Sequence, residues 1–174
     1  MFEKGEYLIY GHNGICKVED MTHLNLSGVD KGKLYYVLAP VNKKESRIYY
    51  PVDREKDGRA RRIITRDAAE QLLQEIPQIE QIQVTNDKLR EEAYKQALYS
   101  SDCRKWLSII KTLFLRRQDR LQHGKRIASV DERYMKMAED ALYSEVAFVM
   151  DKEKEEIEHF VISQIEHQQE AICS

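Results

Sequence analysis

The 174-residue sequence has few of the residues that mark secreted, metal-binding or membrane proteins. Its three cysteines, Cys16, Cys103 and Cys173, are scattered and include no CxxC pair, which argues against a disulfide framework or a zinc site and favours reduced thiols in a cytoplasm. No apolar run approaches the roughly 18 residues of a membrane-spanning helix. Residues 1–5 show neither a basic nor an apolar signal region, so we expect no secretory signal.

Motifs of catalysis are missing as well. The sequence contains no G-x-S-x-G, HExxH, P-loop or GxGxxG pattern, and none of its five histidines stands at metal-ligand spacing to another histidine or a cysteine. We therefore predict that the protein is not an enzyme and uses no cofactor or metal. Charged residues at 33% and hydrophobic residues at 42% are instead typical of a soluble protein with a core, in one domain or two small ones.

Residues 1–66 carry the pattern of a small β domain. Five short β-prone runs recur at spacings of about ten residues, with turn pairs such as Asn13-Gly14 between them. The runs are 7–10, 15–19 (extended or followed by a strand at 21–26), 34–38, 47–50 and 60–64. Their number and spacing predict a strongly bent sheet or a small barrel.

From residue 67 the spacing of apolar residues changes to that of helices. A first helix is predicted at 67–76 and stops before Pro77. The mostly polar stretch that follows, to residue 85, is predicted as a linker and domain boundary. The fold class is therefore α+β, with a small β-barrel domain at 1–66, a helix and linker at 67–85, and an all-α helical bundle at 86–174.

Four further helices are predicted in the bundle. The first starts at a cap formed by Asn86 or Asp87. Its inward-facing residues are expected to be Leu89, Ala93 and either Ala97 or Leu98. Ser129 and Glu132 fit the pattern of a capping box at the start of the third helix. The third and fourth of these helices are either fused into one continuous helix or separated by a break near Asp151.

The second helix of the bundle, at 100–120, is amphipathic and ends among cations. Trp106 falls on its apolar face and is expected in the core. Residues 104–126 contain eight lysines and arginines but only one acidic residue, Asp119, although the whole chain has a net charge of −2. Such a strip can bind a polyanion because salt screens the more distant charges. Alternatively, the acidic segment 128–174 neutralises the strip by packing beside it.

Several runs, taken in order, match the pattern of one protein family. They are Phe2, Gly5, Tyr7–Tyr10, His12–Ile15, Tyr35–Leu38, Ile48–Val52, Leu98–Asp102, Leu113–Arg117 and Ser129–Leu142. Over about residues 1–150, the chain resembles the CarD family of bacterial transcription regulators. The resemblance implies a Tudor-like or SH3-like N-terminal barrel, similar to the polymerase-binding module of transcription–repair coupling factors, followed by a helical domain.

For function, the resemblance implies a regulator that binds the RNA polymerase β subunit and promoter DNA near the upstream edge of the transcription bubble. Such binding modulates the stability of the open complex. The polymerase-facing strand is expected to include Arg47 and Tyr49, the second at a position where the family can carry arginine. We expect a cytoplasmic protein, associated with the nucleoid through polymerase and monomeric when free. The alternative is an adaptor that binds only protein partners.

The predicted DNA-binding residues are two basic positions of the family and five members of the basic strip. They are Arg90, Arg133, Arg116, Arg117, Arg120, Lys125 and Arg126. Phosphate contacts of this kind give little sequence specificity. Some family members insert a tryptophan into the minor groove just before the first C-terminal helix. Asn86 or Asp87 aligns there, and an aspartate repels phosphates, so we expect DNA contact without this wedge.

Overall fold

The chain folds into two units, Met1–Ile63 and Ile64–Ser174. The structure is a computed structural model that describes the backbone of residues 1–174 and every side chain except that of His12, a member of one of the family runs. The predicted α+β class with a Tudor-like N-terminal domain is confirmed, since a five-stranded antiparallel sheet precedes the helices. No helix in the described part of the chain is both long and apolar enough to cross a membrane.

The N-terminal unit is built on one antiparallel sheet. Its strands are β1 (Tyr7–Tyr10), β2 (Ile15–His23), β3 (Leu34–Pro40), β4 (Ile48–Pro51) and β5 (Ala60–Arg62). Their spatial order is β4-β3-β2-β1-β5, which places β4 and β5 at the two edges. Short 3₁₀ helices at Gly11–Asn13 and Val52–Asp57 join β1 to β2 and β4 to β5. Gly14, at φ 72°, supplies the positive backbone angle that the first of these turns requires.

An aromatic core covers one face of this sheet. Tyr36 of β3 and Tyr50 of β4 are paired across the strands and fully buried, with ring centroids 6.3 Å apart. The backbone N–H of Phe2 donates to the Tyr36 hydroxyl at 3.1 Å, and the two rings meet edge to face. Burial raises the pKa of Tyr50, which keeps its hydroxyl protonated to donate to Asp57 at 2.9 Å. Strands β3 and β4 therefore pack on one face against buried aromatic side chains.

The C-terminal unit is helical. Its helices are α1 (Arg66–Gln74), α2 (Asp87–Tyr99), α3 (Cys103–Gln122), α4 (Ser129–Met150) and α5 (Lys154–Cys173), with a 3₁₀ helix at Ile76–Gln78 after α1. Asp151 adopts a left-handed conformation, φ 54° and ψ 50°, which ends α4. Of the two alternatives that the sequence left open, the structure shows two separate helices.

The capping box predicted at Ser129 and Glu132 is wrong. The cap position of α4 is Ala128, whose side chain has no acceptor, so that Ser129 is already the first helical residue. A capping box is found instead at the start of α5. There the side chains of Glu153 and Glu156 each accept a hydrogen bond from the other residue's backbone N–H.

The inward face of helix α2 agrees only in part with the prediction. Leu98, one of the two residues predicted at its end, is buried, whereas Leu89 is exposed and Tyr94 is buried in its place. The inward row is therefore Arg90, Tyr94 and Leu98, one residue further along the helix than Leu89 and Ala93. Since one residue rotates a helix face by roughly 100°, this shift carries Arg90 from the predicted outer surface to the edge of the core.

The segment predicted to contain the linker, 67–85, is fastened to α3. The buried ammonium group of Lys111 donates to the carbonyl oxygens of Ile76 at 3.1 Å, Pro77 at 3.2 Å and Ile79 at 2.8 Å. The Thr112 hydroxyl accepts a hydrogen bond from the backbone N–H of residue 82 at 2.8 Å. All three donors of Lys111 are thereby used, so this cation serves the fold and not the surface.

Candidate interaction surfaces

Strand β4 forms one edge of the sheet and presents Tyr49 to solvent. Among the described strands its only hydrogen-bonded neighbour is β3, so the backbone groups on its other side can pair with an added strand. Tyr49 lies opposite Val37 and is 46% exposed. Pro51 ends the strand and removes one backbone donor. The free edge is therefore short, which suits a short extended partner segment.

Arg47 precedes β4 and is held by groups of its own unit. Its Nε lies 2.5 Å from Oε2 of Glu19, and its Nη1 donates to the carbonyl oxygens of Lys44 and Ser46, each at 2.8 Å. Glu19 stands at an irregularity in the register of β2 with β3. The sequence predicted Arg47 as a site residue but not its partner Glu19, because a bulge has no clear signature in the amino-acid pattern.

A groove of about 560 Å³ lies beside Tyr49. Its other walls come from β2, from the loop after it and from β3: Glu19, Asp20, Thr22, His23, Leu24, Asn25, Leu26 and Val37. The side chains of a segment paired to β4 can enter such a groove. Sequence reasoning did not find the β2 residues because strand pairing, and not chain order, brings them next to Tyr49.

The end of α3 and the loop before α4 form a cationic surface, which we call the basic end: Arg117, Arg120, Lys125 and Arg126. Among the residues that the structure describes, none of these four makes an ion pair. The loop is ordered by Arg120, whose Nε donates to the carbonyl oxygen of Arg126 at 2.7 Å and whose own carbonyl accepts the N–H of Lys125. Four of the predicted DNA-binding residues are thus brought together with their charges available.

Arg117 faces a carboxyl group that is only weakly anionic. Burial, followed by the nearby Glu158 and Asp140, raises the pKa of Glu139 to about 7, and Arg117 opposes this shift. Near neutral pH Glu139 is therefore partly protonated and compensates only part of the charge on Arg117.

Arg90 and Arg116 lie in a different environment, between two carboxylates. On the inner side is Asp131, whose side chain is 5% exposed. The Nε of Arg116 donates to Asp131 Oδ2 at 2.9 Å, and the Nε of Arg90 lies 3.2 Å from Oδ1 without hydrogen-bond geometry. On the outer side is Asp87, 83% exposed, whose Oδ1 lies 2.8 Å from Nη1 of Arg90 and 4.0 Å from Nη2 of Arg116.

Arg133 is paired at the surface. Its Nη2 lies 2.6 Å from Oε1 of Glu91, and its guanidinium carbon sits 5.2 Å from the ring centre of Tyr134. Both charged side chains are largely exposed. Exposed pairs contribute about 0–1 kcal/mol, so this pairing is weak enough for a phosphate to replace Glu91.

The position that aligns with the tryptophan wedge holds a helix cap. The side chain of Asn86 accepts the backbone N–H of Lys88 at 2.9 Å and starts α2, and the exposed Asp87 follows. Trp106 is 2% exposed and its Nε1 donates to the carbonyl oxygen of Leu98 at 2.9 Å. The prediction of a core tryptophan is confirmed, and the aligned position carries no aromatic side chain.

The groups at the edge of β4 and at the basic end are suited to binding other molecules. In the described part of the chain, no group of three or more His, Cys, Asp or Glu side chains is placed to hold a metal ion. The edge of β4 offers backbone hydrogen bonds and an aromatic side chain, which suit a protein strand. The basic end offers guanidinium and ammonium groups, which suit phosphates.

Comparison with known proteins identifies the first unit. Residues 2–64 match the family model described as the CarD-like/TRCF RID domain. The match ends within one residue of the boundary between the two units. No curated protein matches the chain. The predicted resemblance is confirmed for this part of the sequence: residues 2–64 are similar to the CarD-like/TRCF RID domain, a protein-interaction domain, and this similarity indicates contact with RNA polymerase.

Proposed function

We propose that this protein is a CarD-like transcription regulator that binds the RNA polymerase β subunit and promoter DNA near the upstream edge of the bubble, and thereby modulates open-complex stability. The observation that carries the proposal is the match of residues 2–64 to the CarD-like/TRCF RID domain. The regulator acts in the cytoplasm without a cofactor and is a monomer when free.

The polymerase contact is proposed at β4. An extended segment of the β subunit pairs with the open side of this strand and packs against Tyr49. On the opposite face of the sheet, the stacked rings of Tyr36 and Tyr50 stabilise the strand. Because Glu19 already balances the charge of Arg47, this arginine orients the partner through hydrogen bonds and adds little net charge.

The DNA contact is proposed at the basic end, with Arg133 as a neighbour that can exchange Glu91 for a phosphate. Lysine and arginine contacts to the backbone give affinity that tolerates any sequence and falls as salt rises. Docking on polymerase raises the effective concentration of the basic end at the promoter. A weak intrinsic affinity for DNA is therefore sufficient.

Binding of the full chain to core RNA polymerase and to the isolated β subunit tests the docking surface. Biolayer interferometry of Tyr49→Asp is expected to show affinity reduced at least about tenfold, since an exposed aromatic anchor is lost and a charge is introduced. Val41→Asp, also an exposed apolar position outside β4, is the matched control and should bind normally. Failure of the unmodified protein to bind polymerase at micromolar concentration would remove the proposal.

Open-complex lifetime tests the DNA contact. The unmodified protein is expected to change this lifetime on a promoter, and the double variant Lys125→Ala, Arg126→Ala is expected to lose the change while still binding polymerase. The charge-matched control is Lys152→Ala with Lys154→Ala, at the turn between α4 and α5. Equal loss in both double variants would show that total charge matters and the basic end does not.

A second candidate function is an adaptor that binds only proteins. The observation in its favour is that Arg90, Arg116 and Arg133 are each engaged by a carboxylate of the same unit. Filter binding over a salt series separates the two functions. A negative slope of log affinity against log salt supports phosphate contacts. Absence of DNA affinity, with and without polymerase, supports the adaptor.

A further inference from the structure

The carboxylate of Asp87 faces two guanidinium groups from a position open to solvent. One oxygen, Oδ1, lies 2.8 Å from Nη1 of Arg90 and 4.0 Å from Nη2 of Arg116. The Asp87 side chain is 83% exposed, whereas those of Arg90 and Arg116 are largely covered. The arginines therefore present their donors at the surface while their stems are held by the protein.

The charges at this point do not balance without Asp87. Among the described residues, the buried Asp131 is the one inner carboxylate that contacts Arg90 and Arg116, so a single negative charge meets two positive charges. The nearby Glu91 is paired with Arg133. The Nε of Arg90 also lacks hydrogen-bond geometry to Asp131. One positive charge is thus left over, and Asp87 covers it from the solvent side.

A DNA phosphate carries the same charge as this carboxylate and uses the same kind of acceptor oxygens. Guanidinium forks bind carboxylates and phosphates through equivalent hydrogen bonds. An exposed ion pair is weak because water and salt screen it, so the Asp87 side chain can rotate away when a phosphate arrives. Arg116 keeps its position because its Nε donates to Asp131 from the inner side, and Arg90 stays in ion-pair contact with the same carboxylate.

We propose that Arg90 and Arg116 form a binding site for a DNA backbone phosphate, and that Asp87 occupies this site in the free protein as an autoinhibitory contact. The inference rests on the proposed DNA contact and adds a regulated subsite to it. Away from polymerase, Asp87 keeps the affinity for DNA low. When docking holds DNA against the helical unit, the phosphate displaces Asp87 and the contact is completed.

The test compares Asp87→Asn with Glu92→Gln in the full chain. Both substitutions remove one negative charge from α2, but the Glu92 carboxylate accepts a hydrogen bond from the side chain of Gln96. Binding to a mixed-sequence DNA duplex is measured by fluorescence anisotropy between about 50 and 200 mM salt. Asp87→Asn is expected to tighten binding about five- to tenfold at low salt and to steepen the salt slope by about 0.9, the value for one additional phosphate.

Two further measurements separate a site from a general effect. Asp87 stands in the first turn of α2, where its charge favours the helix, so Asp87→Asn is expected to lower thermal stability slightly while raising DNA affinity. Arg116→Lys in the Asp87→Asn background keeps the charge but removes the planar fork, and is expected to cancel most of the gain.

The outcomes separate this inference from the proposed DNA contact on which it rests. Equal gains in Asp87→Asn and Glu92→Gln, or no gain in Asp87→Asn, overturn the inference and leave DNA binding by the basic end in place. Absence of DNA affinity in the unmodified protein and in both variants overturns the proposed DNA contact, and the inference with it.

Discussion

Two groups of cations in the helical unit differ in what surrounds them. Arg104, Lys111 and Arg116 are engaged within the unit by Glu75, by three carbonyl oxygens and by Asp131. The basic end lies at the end of α3 and in the loop after it, and makes no ion pair among the described residues. Both groups belong to the same segment, 104–126. The charge of a segment therefore does not tell which of its cations are available to a partner.

The two groups are also expected to respond oppositely to substitution. In the first group, Lys111 and Arg116 are the inner cations, and each stabilises the unit because removing it, or its partner, leaves a buried polar group unsatisfied. An outer cation contributes little to stability and acts on a partner instead. Substitutions that remove members of each group test this distinction.

The largest effect is expected from Asp131→Asn. It leaves the half-buried guanidinium groups of Arg90 and Arg116 without their inner counter-charge, and should lower the free energy of unfolding by about 3 kcal/mol. Urea denaturation measures the change. Glu132→Gln, at the exposed neighbouring position, is the control and should change it by less than about 0.5 kcal/mol. Equal effects at the two positions would contradict a structural role for the inner carboxylate.

Lys111→Met is expected to lower the free energy of unfolding by about 2 kcal/mol, because three backbone carbonyls lose a charged donor while the apolar stem is kept. Thermal and urea denaturation both report it. Lys105→Met makes the same change at an exposed position of the same helix and should have little effect. A stable Lys111→Met protein would show that the three hydrogen bonds of Lys111 are not needed to hold the segment after α1.

A smaller, pH-dependent effect is expected from Glu139→Gln. Burial, then Glu158 and Asp140, raises the pKa of Glu139 from its ordinary 4.5 to about 7, against the opposing effect of Arg117. The folded protein therefore binds this proton more tightly than the unfolded chain does. Stability present below about pH 4.5 is lost as the pH rises through about 7.

Glu139→Gln should remove that loss. We expect a free energy of unfolding about 1 kcal/mol higher at about pH 8, and a flatter profile between about pH 5 and 8. Melting temperature over this range measures the profile, with the exposed Glu132→Gln as the control. An unchanged pH profile in Glu139→Gln would assign the titration to another group.

The smallest effect on stability is expected from Lys125→Ala with Arg126→Ala, within about 0.5 kcal/mol by urea denaturation, because both side chains are exposed. The same variant should lose DNA affinity and salt dependence. A marked loss of stability would show that these two residues stabilise the fold, as Lys111 and Arg116 do, and would contradict the distinction between the two groups.

The N-terminal unit could be predicted closely from its sequence. The runs are short and β-prone, and turn residues separate them, so that strand positions follow from local pattern. The two-residue period places Arg47 and Tyr49 on one face of their strand, and the family resemblance implies that this strand faces polymerase. The partner of Arg47 could not be predicted, since Glu19 reaches it through an irregular register between β2 and β3. Pairing across strands depends on the whole sheet.

Local spacing and composition are enough to predict the element types, the positions of most helices, the buried Trp106 and the presence of a cationic segment. The face of α2 that points inward depends instead on packing between helices. Tyr94 and Leu98 fill the core, and their burial turns Arg90 toward Asp131 of α4. Since that carboxylate lies on another helix, no local pattern could show which arginines are held and which remain free.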